Sequence, residues 1–264
     1  MALFVPPKPK IINPAGTHDC YFQYESASVC RLIPFGGNQL MISGVRQTIP
    51  AAGVTLAPFA GWSTYPVLFV GATWSNGVWT LTAFDPVANP VVIDAFGMPV
   101  FTGFINYTLV GAFTQNGSSN FVQSAQFGGV ISYWNRRLRT VRGAWNVASA
   151  SIGWAELSPN ARLTMLGFIG DAIRFTYSGT VYSDTASAGE GTMVYYNFNG
   201  GAANAINPPE YFIQSVAYAT APFGFQFDLG PISPAALMTS FLFGYIASGG
   251  TGTWYGDCSA VFEG

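Results

Sequence analysis

The 264-residue sequence predicts an all-β protein, with two β-sandwich or jelly-roll-like domains following an extended N-terminal arm. Three observations carry that expectation. Apolar residues alternate with polar ones at period two, the strand period. Turn dipeptides recur every 8–12 residues, the rhythm of sandwiches and barrels: Gly36-Gly37, Ser43-Gly44, Asn76-Gly77, Asn116-Gly117, Ser178-Gly179 and Asn199-Gly200 among them. No amphipathic helical run extends beyond about two turns when scored against the helical template.

The arm is expected over residues 1–19. Pro6, Pro7, Pro9 and Pro14 forbid regular helix and sheet interior and favour polyproline-like backbone. Phe4, Val5, Ile11 and Ile12 would be costly to leave in water, so this segment, with Lys8 and Lys10, is expected to dock on a neighbouring protein. An N-terminal β domain follows at 20–135. Within it, Val78–Ala83 sets Trp79, Leu81 and Ala83 against Thr80 and Thr82. Tyr107–Phe113 puts Tyr107, Leu109, Gly111 and Phe113 on one side. Asn76-Gly77, lying between Trp74 and Val78, has the composition of a two-residue hairpin turn. The charge-dense run Asn135–Arg142 reads as a connector at 136–142, and a C-terminal β-sandwich domain is expected at 143–264. There, Ile173, Phe175 and Tyr177 alternate with Arg174 and Thr176. Ser233-Pro234 could cap a short helix running into Leu237 and Met238 before a strand at Phe241–Tyr245. No repeat of solenoid length is visible.

Composition bears on function. Only 8% of residues are charged, against about a quarter in ordinary soluble domains. A chain this poor in charge is expected to cover much of its exterior with other protein. The formal net charge of −2 supplies no field for nucleic acid. The N-terminus lacks the pattern of a secretory signal, and no unbroken apolar stretch reaches the roughly 20 residues of a spanning helix. The chain is expected to be soluble and made in the cytoplasm, with no membrane insertion. Cys20, Cys30 and Cys258 are too few and too irregular for a disulfide framework or a metal site. Buried free thiols are the favoured reading, with a Cys20–Cys30 bridge across a hairpin left open. No metal or cofactor is expected.

A catalytic reading finds little to work with. The single histidine, His18, lies on the arm, where an exposed or capping role is expected rather than a catalytic base. Glu156, Asp171, Asp184 and Glu190 fall in one region, but no motif selects a pair of glycosidase type. The arginines Arg136, Arg137, Arg139 and Arg142 suit interdomain or intersubunit pairing, since a planar guanidinium favours fixed partners. Most aromatics should be core; Trp62 and Tyr65, beside Gly61 and Pro66, are the loop-like pair suited to stacking on a sugar.

Several phrases resemble a β-rich module of bacteriophage and prophage tail fibres and related virion appendages. Cys30-Arg-Leu-Ile-Pro-Phe-Gly-Gly-Asn-Gln-Leu-Met-Ile-Ser-Gly-Val-Arg-Gln-Thr-Ile-Pro-Ala-Ala-Gly-Val54 is similar to its opening. Tyr65-Pro-Val-Leu-Phe-Val70 stands where that module has a Tyr-rich strand. Tyr107–Phe113, then Phe121–Ser124 and Ser132-Tyr-Trp-Asn-Arg-Arg137, follow its order of a Thr-Leu-Val-Gly strand and a Ser-Trp-Phe-Asn segment. Gly249-Gly-Thr-Gly-Thr-Trp-Tyr-Gly256 and Val261-Phe-Glu-Gly264 resemble its closing strands. The likeness covers residues 30–197 and 249–264. It implies a virion location, a homotrimer, other virion proteins as partners and contact with a host-surface glycan. The arm would then anchor the subunit to the particle. It implies no catalytic residues. A capsid decoration or cement protein is the alternative expectation, and a carbohydrate depolymerase the second.

Overall fold

A computed structural model describes residues 18–58, 67–149, 154–168, 171–184, 189–198, 204–205, 210–213, 220–229, 236–246 and 251–263. Residues 1–17 of the expected arm, and the pair Trp62 and Tyr65, lie outside them. The described residues are all-β, apart from one 3-10 turn at Pro159–Ala161.

The first strands are β1 (Cys20–Ser26), β2 (Val29–Pro34), β3 (Gln39–Ile42), β4 (Val45–Thr48), β5 (Val54–Leu56), β6 (Leu68–Ser75), β7 (Val78–Phe84), β8 (Val91–Ile93), β9 (Pro99–Phe101), β10 (Phe104–Phe113), β11 (Phe127–Gly128) and β12 (Val130–Ser132). They form a sheet β1-β2-β5, a hairpin β3-β4, and a larger sheet β7-β6-β10-β9-β8 with β12 also on β10. Turn chemistry sets the hairpin registers. Asn76 and Gly77 both have positive φ, 51° and 83°, so Trp74 pairs with Trp79 across a two-residue turn. Ser43 and Gly44, at 49° and 77°, do the same between β3 and β4.

β6 and β10 show why alternation reads weakly in this half. Leu68 through Thr73 are all buried. Consecutive residues enter two different cores. Leu68, Val70 and Ala72 pack with Phe22 and Leu32 of the β1-β2 layer, whereas Phe69 joins a second core shared with the C-terminal half. The large sheet is therefore a middle layer. Gly111 of β10 permits the close stacking, since a Cβ there would lie 2.5 Å from the Phe22 ring.

The remaining strands are β13 (Arg139–Ser149), β14 (Ala155–Glu156), β15 (Leu163–Gly167), β16 (Ala172–Ser183), β17 (Gly189–Phe198), β18 (Asn204–Ala205), β19 (Glu210–Ile213), β20 (Thr220–Leu229), β21 (Ala236–Ile246) and β22 (Gly252–Glu263). One sheet runs β13-β22-β16-β20; the other centres on β15-β21-β17 with β19 on β17. With the two-residue β14 and β18 set aside, eight strands remain. The first of these pairs with the last, the second with the seventh, the third with the sixth and the fourth with the fifth, all antiparallel. One long hairpin folded over on itself gives this order, which is jelly-roll connectivity. Two polar links cross its apolar interior. The Tyr177 hydroxyl lies 3.1 Å from the Ala161 carbonyl, to which it donates, and 2.6 Å from the Ser240 hydroxyl. The Trp254 indole N–H donates to Thr192 Oγ1 at 3.2 Å.

Three local expectations change. Leu237 and Met238, expected in a short helix, are strand, because both belong to β21, which is hydrogen-bonded on its two sides by β15 and β17; the expected cap Ser233-Pro234 lies outside the described residues. The segment 136–142 is divided: Arg139 to Arg142 already form the start of β13. β11 pairs in parallel with β15, so the chain touches the C-terminal sheet before β12 returns to the N-terminal one.

Candidate assembly and contact surfaces

The four arginines of the 136–142 run occupy three different environments. Arg136 is ion-paired through Nη1 with Asp171 Oδ1, both largely buried. Its Nε donates to the Tyr133 carbonyl at 3.2 Å, and its guanidinium lies 5.1 Å from the Phe168 ring centroid. Asp171 is held further by the Phe168 N–H, 2.7 Å from Oδ2. Arg139 donates to the Gly128 and Leu166 carbonyls at 2.8 and 3.4 Å. Burial lowers its pKa to about 10, which leaves it charged near neutrality. Both side chains sit at the seam between halves, where Phe69 meets Phe168 at 5.8 Å between centroids. Arg137 instead covers the Phe35 and Tyr21 rings at 4.1 and 4.8 Å. Arg142 is exposed on β13.

His18 corrects the expectation of an exposed or capping residue. It is 2% exposed and stacks on Trp134 with centroids 3.9 Å apart. Its Nε2 lies 3.0 Å from Met98 Sδ, and its backbone bridges Leu40 of β3. Burial lowers its pKa from 6.5 to about 4. Neighbouring Asn135 donates to the His18 and Cys20 carbonyls at 2.7 and 3.0 Å, fixing the backbone at the start of β1. The three cysteines are free and buried. The β1-β2 register places Tyr24 opposite Cys30 and Pro34 opposite Cys20, so these two thiols do not face one another. Burial pushes all three thiols up, Cys258 to about 12, away from nucleophilic reactivity.

The carboxylates considered for catalysis are dispersed. Glu156 forms an ion pair with Arg162 at 2.7 Å, Asp171 is the seam residue, and Asp184 accepts the Thr251 N–H at 2.7 Å. The side chain of Glu190 lies outside the described residues. Among the described residues no group of three His, Cys, Asp or Glu side chains is placed to hold a metal ion, and no helix is long and apolar enough to cross a membrane.

The four-stranded sheet of the jelly roll has two chemically distinct faces. Val141, Trp145, Phe175, Tyr177, Trp254 and Phe262 point inward. On the outward face, register aligns Arg142 with Ser259 and Thr176, Ala144 with Asp257 and Ser178, and Asn146 with Tyr255 and Thr180. A recess of about 650 Å³ opens here, lined by Gln126, Arg142, Gly143, Ala144, Asp257, Cys258 and Ser259. Tyr255, 40% exposed, lies two residues from the lining residue Asp257 on the same face, with Tyr182 at 6.4 Å between centroids. Reading only Gly249–Gly256 and Val261–Gly264 as closing strands missed this surface; the alternation of Thr253, Tyr255, Asp257 and Ser259 along β22 was the available signal.

A second surface lies at one end of the middle sheet. The β6-β7 and β9-β10 turns are side by side because β6 pairs with β10. They present Trp74, Val78, Phe104 and Ile105, which are 37%, 62%, 43% and 68% exposed.

No family model matches the sequence, and comparison with curated proteins gives no match. Among solved structures, one of infectious bursal disease virus, Gx strain, aligns over 93% of this chain and 58% of its own, with 10% identity and a TM-score of 0.37. T=1 particles derived from infectious bursal virus align at 10% identity and a TM-score of 0.38, over 93% of this chain and 56% of theirs. The insecticidal delta-endotoxin Cry8Ea1 of Bacillus thuringiensis aligns at 12% identity and 0.27, over 93% and 52%. The chain thus spans less than two thirds of the length of each. At TM-scores this low the likeness carries no argument about family or function.

Proposed function

We propose that this chain is a structural subunit of a bacteriophage particle, a tail-fibre or appendage protein that acts by assembly and host-surface contact. The observation that carries the reading is the pair of adjoining hairpin tips bearing Trp74, Val78, Phe104 and Ile105. In a chain with 8% charged residues, four large apolar side chains gathered at one sheet end form a surface suited to burial against protein. Their occupants in this reading are the same tips of two further copies, giving a homotrimer. The sequence resemblance to appendage modules supports the same assignment, and the segment Phe4–Ile12 supplies the anchor to other virion proteins. Repetition on one particle then turns weak host contacts into avid ones.

Sedimentation of the purified protein tests the assembly. A trimer is expected for the native chain and a folded monomer for the Trp74→Ser, Ile105→Ser double variant. A native protein that remains monomeric at high micromolar concentration would overturn the homotrimer. Gold labelling of particles tests the location: label at the tail supports an appendage, label over the shell points to a capsid decoration protein, and unlabelled particles defeat both.

A further inference from the structure

We infer that the outward face of the β13-β22-β16-β20 sheet is a carbohydrate-binding site, taking one uncharged pyranose ring on Tyr255 with its hydroxyls in the adjoining recess. The inference rests on the host-contact reading above and gives it a location within the described residues.

Geometry supplies the parts. Tyr255 and Asp257 are two residues apart on one strand and face the same side, which places their side chains about 7 Å apart, close to the span of a hexose. Tyr255, part-exposed, has short side chains, Asn146 and Thr180, beside it on the neighbouring strands, and the Tyr182 ring lies 6.4 Å away. The C–H face of a pyranose gains apolar contact with such a ring, as other flat ligands do. The recess beside it, about 650 Å³, falls within the range of small-ligand sites.

Its polar groups match a polyol. Asp257 is an acceptor-only carboxylate, suited to two hydroxyl donors, and Arg142 is a donor suited to hydroxyl oxygens, whereas the Gln126 amide at the rim already donates to the Asn160 carbonyl at 3.2 Å. Asp257 takes only a long contact, 3.5 Å, from the Ser178 hydroxyl, and no ion pair engages Asp257 or Arg142 among the described residues. One guanidinium and one carboxylate leave the recess formally neutral, which favours an uncharged ligand over a nucleotide or polyanion. The buried residues Trp254 and Ala260 pack beneath the same strand, so the platform is supported before any ligand arrives.

Saturation-transfer NMR on the full chain, with millimolar methyl α-D-glucopyranoside, galactopyranoside, mannopyranoside and N-acetylglucosaminide, tests this. Transfer to the ring protons of at least one sugar is expected. Tyr255→Ala should abolish it, Tyr255→Phe should retain it, and Asp257→Asn should weaken affinity about tenfold, the loss of one charge-assisted hydrogen bond. Both side chains face outward, so far-UV circular dichroism of each variant should match the native protein. Absence of transfer from the four sugars, or transfer that survives both Tyr255→Ala and Asp257→Asn, overturns the site. If gold-labelled particles carry the protein while no sugar binds, this inference alone fails; sugar binding with unlabelled particles defeats the virion reading instead.

Discussion

The two halves of the molecule use the same strand chemistry and present opposite surfaces. Among the described residues, the N-terminal half exposes Trp74, Val78, Val87, Ile93, Phe96 and Ile105. The jelly-roll half exposes a polar lattice in which Tyr255 is the large apolar-bodied residue. Layering explains the contrast. The N-terminal middle sheet is covered on both faces, so its strands spend their apolar residues on two cores, and the excess emerges at short hairpin tips. The four-stranded sheet of the jelly roll has one covered face, so strands of 10–12 residues sort cleanly by parity. An exposed apolar end and a polar outer face suit different tasks, cohesion for the first and wet, reversible contact for the second.

The sharpest way to break this arrangement is at the seam. Arg136→Ala would remove an ion-pair partner from the buried Asp171 carboxylate, and a loss of up to about 3–5 kcal/mol is expected, read from urea denaturation. Separate transitions for the halves should appear at the same time. A single transition displaced by less than about 1 kcal/mol would show that the halves do not depend on that pair. A smaller effect comes from His18 in the N-terminal half. Its folded-state pKa lies near 4 and its unfolded value near 6.5, so only the unfolded chain takes up the proton between them. Stability is therefore full above pH 6.5 and falls as pH drops toward 4, by about 1–3 kcal/mol. His18→Phe keeps a ring on Trp134 and should remove that part of the slope; identical pH profiles for the two proteins would refute the assignment. The smallest effect is expected at Arg137, whose guanidinium caps Phe35 and Tyr21 on the N-terminal surface. Arg137→Ala should cost about 0.5–1 kcal/mol, and thermal midpoints equal within error would show that the contact contributes nothing.

Legibility from sequence followed the same division. The parity of Ile173, Phe175 and Tyr177 against Arg174 and Thr176 reproduces the inward and outward faces of β16. In Tyr107–Phe113, both parities are buried, because β10 sits between two cores and carries a bulge between Leu109 and Gly111. The run of arginines was visible, but not that Arg136 and Arg139 would turn into the seam while Arg142 faced water; their partners lie up to 35 residues away in sequence. His18 was read as an exposed or capping residue of the arm because nothing local announces Trp134, more than a hundred residues on, as its stacking partner. The surfaces argued for contact went unread for the same reason. Tyr255 and Asp257 acquire meaning only beside Arg142 and Asn146, which reach them through the pairing of the first and last jelly-roll strands.

Strand class, hairpin turns and scarcity of charge belong to the chain alone, since each depends on spacing of two residues or on composition and needs no distant partner. Which face of a strand meets water, which arginine is buried and where a recess opens were settled by the tertiary fold. Those outcomes depend on how many layers cover a sheet and which strands meet across it, and both follow from long-range closure of the chain rather than from local preference.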